Sequence, residues 1–76
     1  MAKPSPYAHH PELLAFGEAL RARRKALGIS QEELAAKAGL DRSYVGGVER
    51  GEHNLSLLTA GKLWSATGSS SFFGKF

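Results

Sequence analysis

The sequence predicts an all-α domain of four to five short helices around one small core. Three observations carry this expectation: apolar residues recur at helical spacing in four successive segments, each segment opens on a capping residue or a proline, and a glycine closes each of them. At 76 residues the chain has room for one domain, and a domain this short buries only about 60% of the surface its unfolded chain exposes. Cysteine is absent, which excludes disulfides and a cysteine-held zinc, so helix packing and oligomerisation are left to stabilise the fold.

The first ten residues, with Pro4 and Pro6 and no apolar period, are expected to form a mobile arm over 1–10, followed by a single domain over 11–76. Pro11 suits the first turn of a helix and Glu12 suits its positive end. Leu13, Phe16, Leu20 and Leu27 then fall on one face, leaving Glu18, Arg21 and Lys25 for solvent, and Gly28 supplies a left-handed stop. Ser30 and Glu33 form the S-x-x-E capping box of a second helix, in which Leu34, Ala35 and Ala38 make the apolar stripe and Gly39 the end.

Asp41 is the expected N-cap of a third helix, with Tyr44, Val45 and Val48 inward and Arg42, Ser43, Gly46 and Gly47 outward. Two glycines in so short a helix each cost about 1 kcal/mol relative to alanine. Tertiary contacts must hold it, or something must approach closely where the side chains are missing. Asn54 and Ser56 offer caps for a fourth helix carrying Leu57, Leu58, Ala60, Leu63 and Trp64 and ending near Gly68. The stretch 69–76, with Phe72, Phe73 and Phe76, is expected to be either a short fifth helix or an irregular apolar tail.

Ten Lys and Arg against seven acids give a net charge of +3, with Arg21, Arg23, Arg24 and Lys25 clustered in one segment that is either a solvated face or a phosphate-facing one. Two short helices joined at Gly39 are the geometry in which one helix enters the major groove of DNA while its predecessor crosses the backbone, although the same unit occurs in other domains.

The residues narrow this. Phe-Gly-Glu-Ala-Leu-Arg-Ala-Arg-Arg from Phe16, Gly-Ile-Ser-Gln-Glu-Glu-Leu-Ala from Gly28 and Tyr-Val-Gly-Gly-Val-Glu-Arg-Gly from Tyr44 resemble the phage repressor and Cro-like family, also called the xenobiotic-response-element-type helix-turn-helix family. The run Asp41–Gly51 resembles most the controller proteins of restriction-modification systems. The resemblance implies a compact lambda-repressor-like DNA-binding domain with its motif at about 31–50, acting as a transcriptional regulator that reads an inverted repeat in double-stranded DNA as a homodimer.

By matching position, the resemblance implies that Gln31 contacts a phosphate and braces the reading helix, the alternative being a solvated residue at the cap. Arg42 and Ser43 stand where the family presents base-reading side chains, and an arginine fork matches guanine O6 and N7. Tyr44 can serve both the core and a phosphate, whereas Gly47 stands where many relatives place another reader and offers none. His53 and Asn54 match a loop that touches the DNA backbone in relatives. His53 is either a phosphate contact strengthened by protonation or a simple loop residue. Arg24 and Glu49 match a family ion pair joining the first helix to the third.

No catalytic or metal-ligand constellation is visible, since the three histidines lie in the arm and one loop, so neither an enzyme nor a cofactor is expected. With no apolar run of about 20 residues and no leader pattern, a cytoplasmic protein without membrane association is expected. The competing reading is a protein-interaction or antitoxin-like module that retains the fold. The phenylalanine-rich tail keeps that reading open, because it can serve a dimer or pack back onto the first helix.

Overall fold

The computed structural model describes residues 6–68; the expected tail over 69–76 and the first five residues lie outside the described part. Four helices follow one another: α1 (Pro11–Ala26), α2 (Gln31–Ala38), α3 (Arg42–Glu49) and α4 (Leu57–Ala66). The all-α prediction and the four starts and stops agree with this architecture. Pro11 opens α1, where the His10 imidazole accepts the Glu12 amide. Both halves of the capping box close on α2: the Glu33 amide donates to Ser30 Oγ at 3.0 Å and the Ser30 amide donates to Glu33 Oε1 at 2.9 Å. Gly28 and Gly39 take positive φ of 71° and 70°, the left-handed conformation that lets the chain leave a helix at once.

Leu20, Leu34, Ala35, Ala38, Val45, Val48 and Leu63 form the core, so each helix contributes one face to it. Phe16 and Trp64 close the side between α1 and α4, with ring centroids 6.1 Å apart. Thr67 is fully buried, but its hydroxyl donates to the Trp64 carbonyl at 2.5 Å and is therefore satisfied.

Several expectations are corrected. Leu27 is 47% exposed rather than in the core, because α1 ends at Ala26 and the chain turns away at Gly28; the buried position on that face belongs to Arg24. Gly46 and Gly47 are buried rather than outward, since other side chains lie over them. Asp41 stands at the N-cap of α3 without a side-chain hydrogen bond to it. On α4 only Leu63 is fully buried, while Leu57 and Leu58 face solvent. Of the expected arm, residues 6–10 are described, and they do not stand free: a turn carries His9, whose amide donates to the Gly51 carbonyl at 2.6 Å.

Gly17 sets how closely α1 approaches α3. A Cβ at this position would lie 2.7 Å from the Glu49 carbonyl oxygen and against the Val48 carbonyl, both rigid backbone. Gly17→Ala is expected to destabilise the fold by about 1–3 kcal/mol through overpacking, although alanine is the better helix former by about 1 kcal/mol. Thermal unfolding decides the sign: an unchanged or raised Tm would mean that α1 can move off α3 without cost.

Candidate nucleic-acid interface

α3 is a short helix fastened by its back. Val45 and Val48 are buried against the core, while Arg42 and Ser43 in its first turn are exposed. Its last residue, Glu49, is the centre of a polar junction between three helices. Arg24 of α1 donates from Nε to Glu49 Oε2 at 2.7 Å and from Nη2 to Oε1 at 3.1 Å, a two-pronged pair, and its Nη1 donates to the Ile29 carbonyl at 3.0 Å. Gln31 of α2 donates from Nε2 to the same Glu49 Oε1 at 3.0 Å.

The side chains of the pair are only 11% and 3% exposed, so the charges interact with little screening by water. Burial alone pushes the Glu49 carboxyl up. The hydrogen bonds from Arg24 and Gln31, with the charges of Arg24 and Arg21, outweigh burial and hold it below its ordinary value. The hydrogen bond to Glu49 correspondingly raises the Arg24 guanidinium against the opposing effect of its own burial.

Beside this junction lies an open cleft of about 230 Å³ lined by Arg21, Arg24, Gln31, Gly46, Glu49 and Arg50. Gln31 is half-buried, and its hydrogen bond to Glu49 ties the start of α2 to the end of α3. The positions of Gly46 and Arg50 in the cleft were legible in principle, because residues 42, 46 and 50 recur every four residues along one strip of α3. Arg21 sits three residues before Arg24 on α1, and the same rule places it beside the junction.

On the neighbouring strip the Tyr44 and His53 rings are stacked, with centroids 4.8 Å apart and planes 16° apart. Burial raises the Tyr44 phenol above its ordinary value. Arg50 and Glu52 pair at 2.8 Å in the loop that follows, and the hydrogen bond from Arg50 lowers the Glu52 carboxyl. This pair is solvated, and such surface pairs contribute little to stability. Asn54 is exposed one residue beyond His53. The structure thus gathers Arg24, Gln31 and Glu49 in one cluster and Tyr44, Gly47 and His53 in another, with Arg42 and Ser43 free at the start of α3. Among the described residues no group of acids and histidines is placed to hold a metal ion, and no helix is long and apolar enough to cross a membrane.

Two short helices turning at a left-handed glycine, the second anchored behind and open in front, define a helix-turn-helix DNA-binding domain. The helix-turn-helix family matches residues 20–72, and the chain belongs to that family, of the Cro/C1 type, whose members are transcription regulators rather than enzymes. The restriction-modification controller protein C.AhdI from Aeromonas hydrophila superposes with a TM-score of 0.74 at 54% identity, over 78% of this chain and 89% of that one. Control protein C.SmaI of Serratia marcescens is 48% identical over 48 residues, and a hypothetical transcription factor of Neisseria meningitidis is 47% identical over 49. The matched region spans 55% of the Serratia protein and 46% of the Neisseria one.

Because the fold prefers the charged form of Glu49, its stabilisation is complete above the ordinary carboxylate range near pH 4.3 and fades as acid protonates the folded-state carboxyl. Glu49→Ala is expected to cost about 3–5 kcal/mol by leaving the Arg24 charge buried without its partner. Glu49→Gln is expected to lose less and to show a shallower fall in stability below pH 4.3. Melting temperatures of the three proteins from neutral pH to acid check both, and an unchanged melt for Glu49→Ala would show that the junction carries no load.

Proposed function

We propose that the chain is a sequence-specific double-stranded DNA-binding regulator, of repressor or controller type, that reads an inverted repeat as a homodimer. The observation that carries this reading is the contrast along α3: the back and the last turn are immobilised by the core and by Glu49, while Arg42 and Ser43 stand exposed in the first turn, the part of a recognition helix that meets base edges. Arg42 reads guanine through O6 and N7, and Ser43 adds a less selective hydrogen bond. Gln31, at the amino end of α2, keeps hydrogen-bonding capacity beyond its bond to Glu49 and contacts a phosphate together with the helix amides. Tyr44, His53 and Asn54 line the DNA backbone, and Gly47 lets them approach. Similarity to control protein C.SmaI and to the controller C.AhdI supports the regulatory role.

The homodimer is supported by Leu57 and Leu58, adjacent on α4 and 64% and 85% exposed, an apolar step that a second copy would cover. Two copies about a twofold axis place their recognition helices roughly 34–36 Å apart, one turn of DNA. The reading requires no cofactor or small-molecule effector.

Selection of bound duplexes from a random pool near physiological salt, with wild type and Arg42→Ala in parallel, is expected to return an inverted repeat that relaxes at one position per half-site in the variant, at about 1–3 kcal/mol per site. Failure of both proteins to enrich any sequence would remove the operator reading and leave a protein-interaction module in its place. Leu58→Glu is expected to shift sedimentation to the monomer without lowering helix content; a variant that still dimerises would place the dimer surface elsewhere.

A further inference from the structure

We infer that the cleft between the ends of α1, α2 and α4 is the seat of the chain's own aromatic tail, with Phe72 as the ring that enters it. The cleft is open and holds about 490 Å³. Leu27 and Ile29 line it where the chain leaves α1, Lys37 lines it from α2, and residues 65–68 line it at the end of α4.

The chemistry of the lining asks for an apolar occupant. Leu27 is 47% exposed, and Ile29 and Ala66 are only partly covered, so apolar surface gains by being shielded here. The polar groups offer little to a small ligand. The Thr67 hydroxyl is already engaged, donating to the Trp64 carbonyl and accepting from Arg23 Nε. Among the described residues Lys37 is the one charged group in the lining, and it is exposed. Its stem can lie along an aromatic ring and set the ammonium against the ring face.

The tail is the occupant because it starts at the rim. Gly68 lines the cleft and takes a φ of 83°, the left-handed conformation that turns the chain off the axis of α4. Its amide donates to the Ser65 carbonyl at 2.9 Å, which fixes the point of departure. Three serines lead from there to Phe72. Four residues reach at most about 14 Å, enough for the first ring to double back over the wall it left. Residues 72 and 76 fall on the same side of a helical turn and of an extended segment alike, so entry of Phe72 carries Phe76 toward Leu27 in either form. A short tether also holds the tail at a local concentration on the order of millimolar, which a separate partner must match. The exposed step at Leu57 and Leu58 lies at the other end of α4, roughly 14 Å from Ala66, so filling the cleft leaves that step open.

The test uses the full chain and needs no DNA, so its outcome is separate from that of the regulator reading. Phe72→Ser is expected to lower the Tm by about 4–8 °C and Phe73→Ser by less. Leu27→Ser is expected to lower it by a similar amount, and the double variant Leu27→Ser with Phe72→Ser by clearly less than the sum, since both remove one contact. A second measurement reads the contact itself: the Leu27 and Ile29 methyl resonances should carry a ring-current shift that disappears in Phe72→Ser and persists on dilution. In a mixture of isotope-labelled and unlabelled chains, nuclear Overhauser contacts from the Phe72 ring to these methyls should arise within one chain. Methyls unmoved by Phe72→Ser, or additive losses in the double variant, overturn the inference. Contacts found only between chains give the cleft to a second copy and overturn it as well.

Discussion

The junction of Arg24, Gln31 and Glu49 is the contact on which the rest of the structure depends. An isolated helix in water needs about 12–15 residues to be even marginally stable, and α3 has eight, two of them glycine. Its helicity is therefore imposed from outside. The two valines on its back hold it to the core, but apolar contacts tolerate sliding and rotation. The two-pronged guanidinium–carboxylate pair does not, because its hydrogen bonds fix distance and angle together. Gln31 extends the same constraint to α2, so one carboxylate sets the positions of three helices.

The close approach at Gly17 makes that pairing possible. With a side chain at this position α1 would be held off the carbonyls of Val48 and Glu49. The Arg24 fork would then have to reach its partner across a wider gap. The carboxylate stands at the carboxyl end of α3, where the helix dipole is unfavourable to it, and the guanidinium answers both negative charges at once. Among the described residues no buried side-chain nitrogen or oxygen is left without a partner, which is the condition under which charges can be buried in so small a domain.

What could be read from the sequence was what local chemistry decides. The Ser30–Glu33 box, the proline at α1 and the left-handed glycines depend on residues within one turn of each other, and each agrees with the structure. Apart from Asp41, whose side chain makes no cap bond to α3, the errors fall where a residue's environment comes from a distant part of the chain. Gly46 and Gly47 look solvent-facing on a helical wheel, because a wheel cannot show that Gln31, Arg50 and His53 lie over them. Leu57 and Leu58 fit an amphipathic pattern for α4, but the core of four short helices is already filled by Leu63 from that helix. Only the family resemblance pairs Arg24 with Glu49 at the level of sequence. Periodicity alone would have put Arg24 with the solvated cations of α1.

The glycine pair shows how such a helix reconciles stability with access. Together the two residues withdraw about 2 kcal/mol of helix propensity relative to alanine, and they do so at adjacent positions that open different strips of the surface. At Gly46 a methyl group would stand 3.2 Å from Arg50 Nη1 and 3.5 Å from Gln31 Oε1, so its absence keeps the arginine-lined cleft open. At Gly47 the missing group is replaced by a ring from the following loop. Both glycines thus leave space that polar side chains from other segments border or enter. Since the helix borrows its rigidity from the junction and the core, the geometry of Arg42 and Ser43 is tied to positions far from them. A defect at Gly17 or Glu49 must therefore reach the exposed first turn of α3 as a displaced helix, even where the domain still folds.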